Sequence, residues 1–301
     1  MEAIAMALGG AACVGVVALS AIVQKRHERA KKRLAFLEDR DRSATLEIIR
    51  TRARLYESVA EGMLARAGRG ARLEMRFRSQ YGEDVLAWEI LGRPLAGTFI
   101  EIGAYDGREL SVTWALEAMG WNGLLVEAMP ERAAQARTNR PFSVVEHAAC
   151  AGPGSTGVAT FSVLEDEQLA SDMRSSLELE AWERERVRSG KSREKKVDVP
   201  LTTLGALVPK EWGGIDLAVV DVEGAELGVL EGLGMEDARL RPRVLIVEDN
   251  TKGVEARVPS LLERHGYGAA GWIGVNRVWV RRDEDDVVRR ARDVLRETWT
   301  H

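Results

Sequence analysis

From about residue 76 onward, short apolar runs rich in β-branched residues alternate with segments of helical pattern. This alternation is typical of a mostly parallel sheet with helices on both faces. Seven runs are predicted strands: Thr98–Ile102, Gly123–Glu127, Ser143–Ala149, Ile215–Val222, Val244–Glu248, Ala269–Ile273 and Arg277–Val280. The last two leave no room for a helix between them, so we expect them to form an antiparallel hairpin at the sheet edge.

The N-terminus carries an apolar run, Ala3–Val23, that contains no charged residue. At about 1.5 Å per helical residue, this run is long enough to cross a hydrocarbon core of roughly 30 Å. Six basic residues follow it directly: Lys25, Arg26, Arg29, Lys31, Lys32 and Arg33. A signal peptide would need basic residues before the run instead. Because basic residues are retained on the cytoplasmic side, we expect a single-pass membrane anchor over residues 1–24 and the bulk of the protein in the cytoplasm.

Residues 25–75 are rich in Arg, Glu and Ala and are expected to form a helical stalk. One apolar stripe repeats at spacings of three and four residues: Leu46, Ile49, Ala53, Tyr56, Ala60 and Met63. The stripe fits either a short coiled coil or a helix that packs against its own domain. After the stalk we expect one α/β domain over residues 76–282, with an irregular region at about 152–200, and a polar C-terminal helix over residues 283–301.

Composition excludes several classes of function. The net charge of −4 gives no basic face of the kind that nucleic-acid binding requires. The only two cysteines, Cys13 and Cys150, are too few for a disulfide framework. The four histidines show no metal-ligand spacing, so no metal site is predicted from them.

The turn after the first predicted strand is the main candidate for cofactor binding. Its candidate residues are Glu101, Gly103, Ala104, Tyr105, Asp106 and Gly107. Their glycine spacing is Gly-x-x-x-Gly, which differs from the Gly-x-Gly-x-x-Gly of dinucleotide sites. Glu127 ends the second strand, where a carboxylate can accept hydrogen bonds from both ribose hydroxyls. His147 is a further candidate at the adenine end of the cleft, although a structural role for it is favoured.

Carboxylates crowd the end of the fourth predicted strand. Asp221, Glu223 and Glu226 surround Gly224, and Glu248 ends the next strand. So much negative charge is costly unless it is solvated, paired or used. It would serve to align the cofactor and acceptor, to act as a general base, or to hold a divalent metal. Capping of the following helix is the structural alternative. Asp221, also a candidate cofactor residue, and Glu223 are the candidate catalytic residues.

Several motifs together resemble the FkbM family of S-adenosylmethionine-dependent methyltransferases. They are Ser79–Asp84, Ile100–Gly107, Leu124–Pro130, Val197–Leu204, Asp221–Glu226 and Leu245–Glu248. The resemblance implies a Rossmann-like class I methyltransferase fold, S-adenosylmethionine as the methyl donor, and usually a hydroxyl oxygen as the acceptor. By position, Glu101, Gly103 and Glu127 match cofactor-binding places, and Asp221 matches the acidic motif. Ala225 stands where relatives often carry a histidine, so a histidine base is not expected.

The sequence therefore predicts a membrane-anchored methyltransferase acting on a small-molecule or lipid-linked acceptor. Two alternatives stay open. One is a nonenzymatic membrane adaptor built on a methyltransferase fold. The other is a nicotinamide-dependent oxidoreductase, which the glycine spacing disfavours. It is also disfavoured because none of the tyrosines is followed by a lysine four residues later.

Overall fold

The computed structural model describes residues 44–165, 175–176 and 181–298. The predicted membrane anchor and the basic residues after it lie outside this part of the chain. Within it, no helix combines the length and the apolar character that crossing a bilayer requires. The chain divides into two units, Met1–Arg52 and Ala53–His301. In the first unit, the described residues 44–52 are helical; everything that follows concerns the second.

Most strands of the second unit belong to one sheet. The strands are β1 (Thr98–Ile102), β2 (Asn122–Glu127), β3 (Val144–His147), β4 (Ala149–Cys150), β5 (Gly157–Glu165), β6 (Ser175–Ser176), β7 (Arg193–Thr202), β8 (Leu217–Val220), β9 (Val244–Glu248), β10 (Tyr267–Ile273) and β11 (Asn276–Arg281). The main sheet has seven strands in the order β3-β2-β1-β8-β9-β11-β10. β11 pairs antiparallel with both β9 and β10, and the other strand pairs of this sheet are parallel. The predicted seven-stranded, mostly parallel sheet with an antiparallel edge hairpin is confirmed.

Helices connect these strands. They are α1 (residues 53–66 of this unit), α2 (Glu83–Ile90), α3 (Trp114–Met119), α4 (Pro130–Asn139), α5 (Ala181–Arg188), α6 (Leu204–Leu207), α7 (Glu226–Glu231), α8 (Arg257–Arg264) and α9 (Asp285–Thr298). Successive residues of a strand point to opposite faces of a sheet. In β8, Leu217 and Val219 join the core beneath α2, α3 and α9. Ala218 and Val220 join the core beneath α7 and α8. Both faces of the sheet are therefore buried under helices, as the sequence predicts.

The predicted irregular region at 152–200 is wrong in part, because much of it forms a second sheet. The order of this sheet is β4-β7-β5-β6, and β5 pairs antiparallel with β7 along its full length. Most of β7 is exposed, with Val199 its one buried residue. A strand that buries so little shows no apolar alternation, which is why the pattern reads as a charged loop. The predicted strand Ser143–Ala149 is also divided: β3 joins the main sheet and Ala149 joins the second.

The apolar stripe of α1 packs against the domain from Ala53 onward. Ala60 and Leu64 are fully buried in the core under the sheet. Tyr56 makes edge-on ring contacts with Phe77 and Trp88, at centroid distances of 6.3 and 6.2 Å. Of the two readings of the stripe, the structure therefore supports packing on the protein's own domain for these residues.

Candidate functional site

A cavity of about 480 Å³ opens at the carboxyl ends of β1, β2, β8 and β9. Glu101, Gly103, Glu127 and Asp221 all line it. The chain leaves β1 and β8 toward opposite faces of the sheet, and ligands bind in open α/β sheets where strand order reverses in this way. The structure therefore brings the main predicted site residues into one hollow. Ala104, Tyr105 and Glu223 line it as well.

The turn after β1 packs directly against the turn after β8. Gly103 has a φ of +77°, and a Cβ added there would lie 1.8 Å from the carbonyl oxygen of Asp221. Only glycine fits this contact, because it has no Cβ and adopts positive φ readily. The backbone of Gly103 stays accessible from the cavity. The two turns thus form one continuous wall.

Glu127, at the end of β2, forms a hydrogen bond with the turn that follows β1. Its two carboxylate oxygens accept hydrogen bonds from the backbone N–H groups of Tyr105 and Met129, each at 2.8 Å. Burial raises the pKa of this carboxyl group. The N–H of Ala128 also interacts with this carboxyl group. An ionised carboxylate offers about four acceptor positions, so some acceptor capacity stays available toward the cavity. Tyr105 adopts a φ of +51°, and the Arg132 guanidinium lies 4.1 Å from its ring centroid.

Glu101 is engaged mainly by the protein itself. Its carboxylate accepts hydrogen bonds from the Ser111 hydroxyl at 2.8 Å, the Val112 N–H at 2.8 Å and the Thr113 hydroxyl at 2.6 Å. The guanidinium of Arg140 lies 3.5 Å from the same carboxylate. Glu101 therefore fixes the segment 111–113, which forms part of the cavity wall, and keeps little acceptor capacity for a ligand.

The carboxyl groups of Asp221, after β8, and Glu248, at the end of β9, form a hydrogen-bonded pair in the cavity wall. Burial raises the pKa of both Asp221 and Glu248, and repulsion between the two groups raises that of Glu248 further. Glu223 and Glu226 also raise the pKa of Asp221 by repulsion. A pair of this kind retains a proton at a pH where ordinary carboxyl groups are ionised. Asp221 is open to the cavity, whereas the Oε2 atom of Glu248 is buried and accepts no hydrogen bond.

The other predicted acids of the β8 turn behave differently from Asp221. Glu223 has a φ of +51°, a conformation that costs most side chains about 1–2 kcal/mol. Glu226 begins α7 and accepts the N–H of Gly224 at 2.9 Å. For Glu226, the structure supports the capping alternative.

Glu83 and Asn276 are site residues that the sequence reasoning missed. Both line the cavity, and the Asn276 amide donates to the Glu83 carboxyl at 2.8 Å. Burial raises the pKa of Glu83 to about 7. Glu83 opens α2 within the motif Ser79–Asp84. That motif precedes the first strand and belongs to the family resemblance, so it could have identified Glu83 as a site residue.

Three predicted cofactor residues lie outside the cavity wall. Asp106 accepts the N–H groups of Arg108 and Glu109 at 2.8 and 2.7 Å, which closes the turn. Gly107 packs against Arg140. The His147 Nε2 lies 3.0 Å from the carbonyl oxygen of Ala128, in line with the structural role favoured for it. Across the described ranges, no group of three or more His, Cys, Asp or Glu side chains is arranged to hold a metal ion.

Comparison with known proteins identifies one matching protein family. The model of the Methyltransferase FkbM domain matches residues 101–268. No curated protein matches the chain.

Three solved structures are similar at low identity. One is a TehB-like S-adenosylmethionine-dependent methyltransferase from Corynebacterium glutamicum, with 12% identity, 72% of this chain and 92% of that chain covered, and a TM-score of 0.37. Another is a precorrin-6y C5,15-methyltransferase from Geobacter metallireducens, with 12% identity, coverage of 67% and 87%, and a TM-score of 0.34. A third, from Aquifex aeolicus, is an S-adenosylmethionine-dependent methyltransferase with 10% identity, coverage of 66% and 88%, and a TM-score of 0.33.

Proposed function

The chain belongs to the FkbM methyltransferase family, whose methyl donor is S-adenosylmethionine, and from this premise we propose that it methylates a hydroxyl oxygen. The observation that carries the proposal is the pairing of Asp221 with Glu248 in the cavity that also contains Glu101, Gly103 and Glu127. The pair supplies the kind of proton-accepting group that methylation of a hydroxyl uses.

The cavity fits the donor in size and in chemistry. Its volume of about 480 Å³ lies within the roughly 300–1,000 Å³ of small-molecule pockets. The free acceptor positions of Glu127 suit ribose hydroxyls, and the acidic wall suits a cation. When bound, S-adenosylmethionine supplies a methyl group already activated by its positive sulfur.

Little further chemistry is required of the protein. The exposed backbone of Gly103 allows a ligand to approach the turn closely. The protein has to hold the acceptor oxygen in line with the methyl–sulfur bond, and alignment of this kind can supply about 7–11 kcal/mol. The ionised member of the Asp221–Glu248 pair takes the proton from the acceptor hydroxyl.

Substitution of the acids tests the catalytic assignment. We expect Asp221→Ala to lower turnover by about 10²-fold or more, the usual scale for a general base. Glu226→Ala is the comparison variant and should have a smaller effect, because Glu226 does not line the larger cavity and accepts the N–H of Gly224. Methyl transfer by the three proteins is measured at saturating donor. Equal turnover in all three would contradict the assignment.

Ligand binding separates this function from the two alternatives. S-adenosylhomocysteine should raise the melting temperature, because a ligand that binds only the folded state stabilises it. Stabilisation by NAD alone would favour an oxidoreductase. Stabilisation by S-adenosylhomocysteine without any methyl transfer would favour an adaptor.

We also propose that residues 1–24 anchor the protein in a membrane, with the catalytic domain in the cytoplasm and a small-molecule or lipid-linked acceptor nearby. The uncharged run Ala3–Val23 and the basic residues after it support this. Full-length protein should stay in the membrane pellet after carbonate washing. Release into the supernatant would contradict the anchor.

A further inference from the structure

A second, smaller cavity lies beside the cofactor cavity. Its volume is about 260 Å³, and it shares Glu223 and Glu248 with the larger one. Both shared residues lie at the ends of the strands that carry the paired carboxyls. A molecule in the smaller cavity would therefore reach the cofactor cavity at the place where proton transfer is proposed.

The smaller cavity has an apolar floor and a strongly acidic rim. Val247, Val258 and Trp279 provide apolar wall. The acidic members of the lining are Glu223, Glu226, Glu248, Asp249 and Glu255, beside the hydrogen-bonding side chains of Asn250 and Thr251. Among its described lining residues, Arg277 is the one cation, and its guanidinium lies 4.4 Å from the Trp279 ring centroid. Glu255 is already paired with Arg257, and Asp249 accepts hydrogen bonds from Thr251 and Gly253. The acids at the ends of β8 and β9 still make the lining one that accepts hydrogen bonds and repels anions.

We propose that this smaller cavity holds the methyl acceptor, and that the acceptor presents a hydroxyl-bearing ring without negative charge. This rests on the proposed methyl transfer. The volume lies below the roughly 300–1,000 Å³ of pockets for drug-sized ligands, so it suits a single ring of sugar size. Any longer part of the acceptor would extend outside. Hydroxyl and ammonium donors suit the carboxylate rim, whereas a carboxylate or phosphate on the ring would meet like charge.

Cavity-filling variants test the location. Val258 lines only the smaller cavity, and Val258→Trp fills it. Asn250→Trp blocks the same cavity from an exposed position. It also removes the Asn250 hydrogen bond to Glu248, so Asn250→Ala, which removes that bond without filling the cavity, is measured beside it. The matched control is Val254→Trp, because Val254 is 85% exposed and lines neither cavity.

The measurement uses S-adenosylmethionine with a tritiated methyl group and an extract of cells that lack the protein. We expect Val258→Trp and Asn250→Trp to lower incorporation of label at least tenfold, with affinity for S-adenosylhomocysteine within twofold of the parent. Val254→Trp should incorporate label at the parent rate. Parent-level incorporation by both cavity-filling variants would overturn the location.

The charge of the product tests the acceptor class. The labelled product is hydrolysed in acid, and its labelled fragment is sorted by ion exchange. We expect the label in the neutral and cationic fractions; label mainly in the anionic fraction would overturn the acceptor class. Absence of label from the parent protein, with S-adenosylhomocysteine still bound, would instead contradict methyl transfer itself and remove this inference with it.

Discussion

At the scale of single residues, the cavity wall depends on the buried charge of Arg140, which does not itself line the cavity. Arg140 is fully buried, and its guanidinium donates to Glu117 at 2.6 Å. It also donates to the Gly107 carbonyl at 2.9 Å and to the Ser111 hydroxyl at 3.1 Å. Through these bonds Arg140 joins the end of α4 to the segment that closes the cofactor cavity. It is a positioning residue for the cavity wall.

Removal of that charge should be costly. Arg140→Met leaves the carboxylates of Glu117 and Glu101 buried without their cation. Breaking a buried pair in this way costs about 3–5 kcal/mol of unfolding free energy. Arg137→Met on the same helix removes one bond to the Val145 carbonyl from an exposed residue and should cost about 1 kcal/mol or less. Urea denaturation measures both, and equal losses would contradict the role of Arg140.

The buried carboxyl of Glu83 makes stability depend on pH. Its pKa is about 7 in the folded protein, against an ordinary 4.5, because burial penalises the charged form. The folded state therefore binds more protons than the unfolded state between these values, and stability falls as pH rises through this window. Repulsion from the neighbouring Asp84 carboxyl group also raises the pKa of Glu83.

Glu83→Gln should flatten this pH dependence. The amide cannot ionise, so the variant avoids a penalty of up to about 3 kcal/mol above pH 7. At pH 4, where both proteins are uncharged at this position, the difference in stability should be smallest. Melting curves from pH 4 to 8 measure it. A parent protein whose stability relative to the variant does not fall over this range would refute the prediction.

At the scale of elements, the site exists where the ends of neighbouring strands touch. The turns after β1 and β8 are in contact through Gly103 and the Asp221 carbonyl. β1 and β8 pair in parallel, so both turns leave the same edge of the sheet. The second sheet adds Phe161, on β5, to the cavity wall. Chain segments that are far apart in the sequence thus have to assemble before the cavity forms.

A pair of glycine substitutions separates the contact from simple backbone strain. Gly103→Ala and Gly154→Ala place alanine at nearly equal φ values, +77° and +79°. Only Gly103 has a neighbour within reach of a Cβ, whereas the space at Gly154 is open. Gly154→Ala should therefore cost about 1–2 kcal/mol, and Gly103→Ala should cost more and weaken S-adenosylhomocysteine binding.

Calorimetric melting and titration with S-adenosylhomocysteine provide the two measurements for the glycine pair. Unchanged affinity in Gly103→Ala would show that the turn tolerates displacement. In that case the close contact between the two turns would have no consequence for the cofactor cavity.

At the scale of the whole molecule, the helix that precedes the family match contributes to the core. Leu64 is 1% exposed and belongs to the cluster that contains Trp88 and Phe99. The matched family region begins only at residue 101. The second unit therefore extends well before that region, and its stability depends on α1.

Two leucines of α1 test this. Leu64→Ala should lower the unfolding free energy by about 2–5 kcal/mol, the usual cost of a cavity in a core. Leu55→Ala, at a position 61% exposed, should change it by less than about 0.5 kcal/mol. Chemical denaturation of the full-length protein measures both. Equal, small effects would mean that the helix adds little to the stability of the domain.

The sequence determined those parts of the structure that follow from local pattern. The β-branched runs marked the main-sheet strands, and the absence of a linker predicted the edge hairpin. The motifs identified Glu101, Gly103, Glu127 and Asp221, because turn chemistry and strand-end position can be read from neighbouring residues. These strands are buried on both faces of the sheet, so their sequences are nearly continuous apolar runs that are easily recognised.

Only the tertiary structure decided which groups act together. Glu101 forms hydrogen bonds with residues 111–113 of the protein itself. Glu83 and Asn276, 193 positions apart in the sequence, meet in the cavity wall. The charged region contains strands that the sequence pattern did not indicate. These outcomes depend on contacts between distant segments and on the desolvation that raises the pKa values of Asp221 and Glu248. Burial and long-range contact have no local signature, since each is a property of the packed chain and not of any short stretch of it.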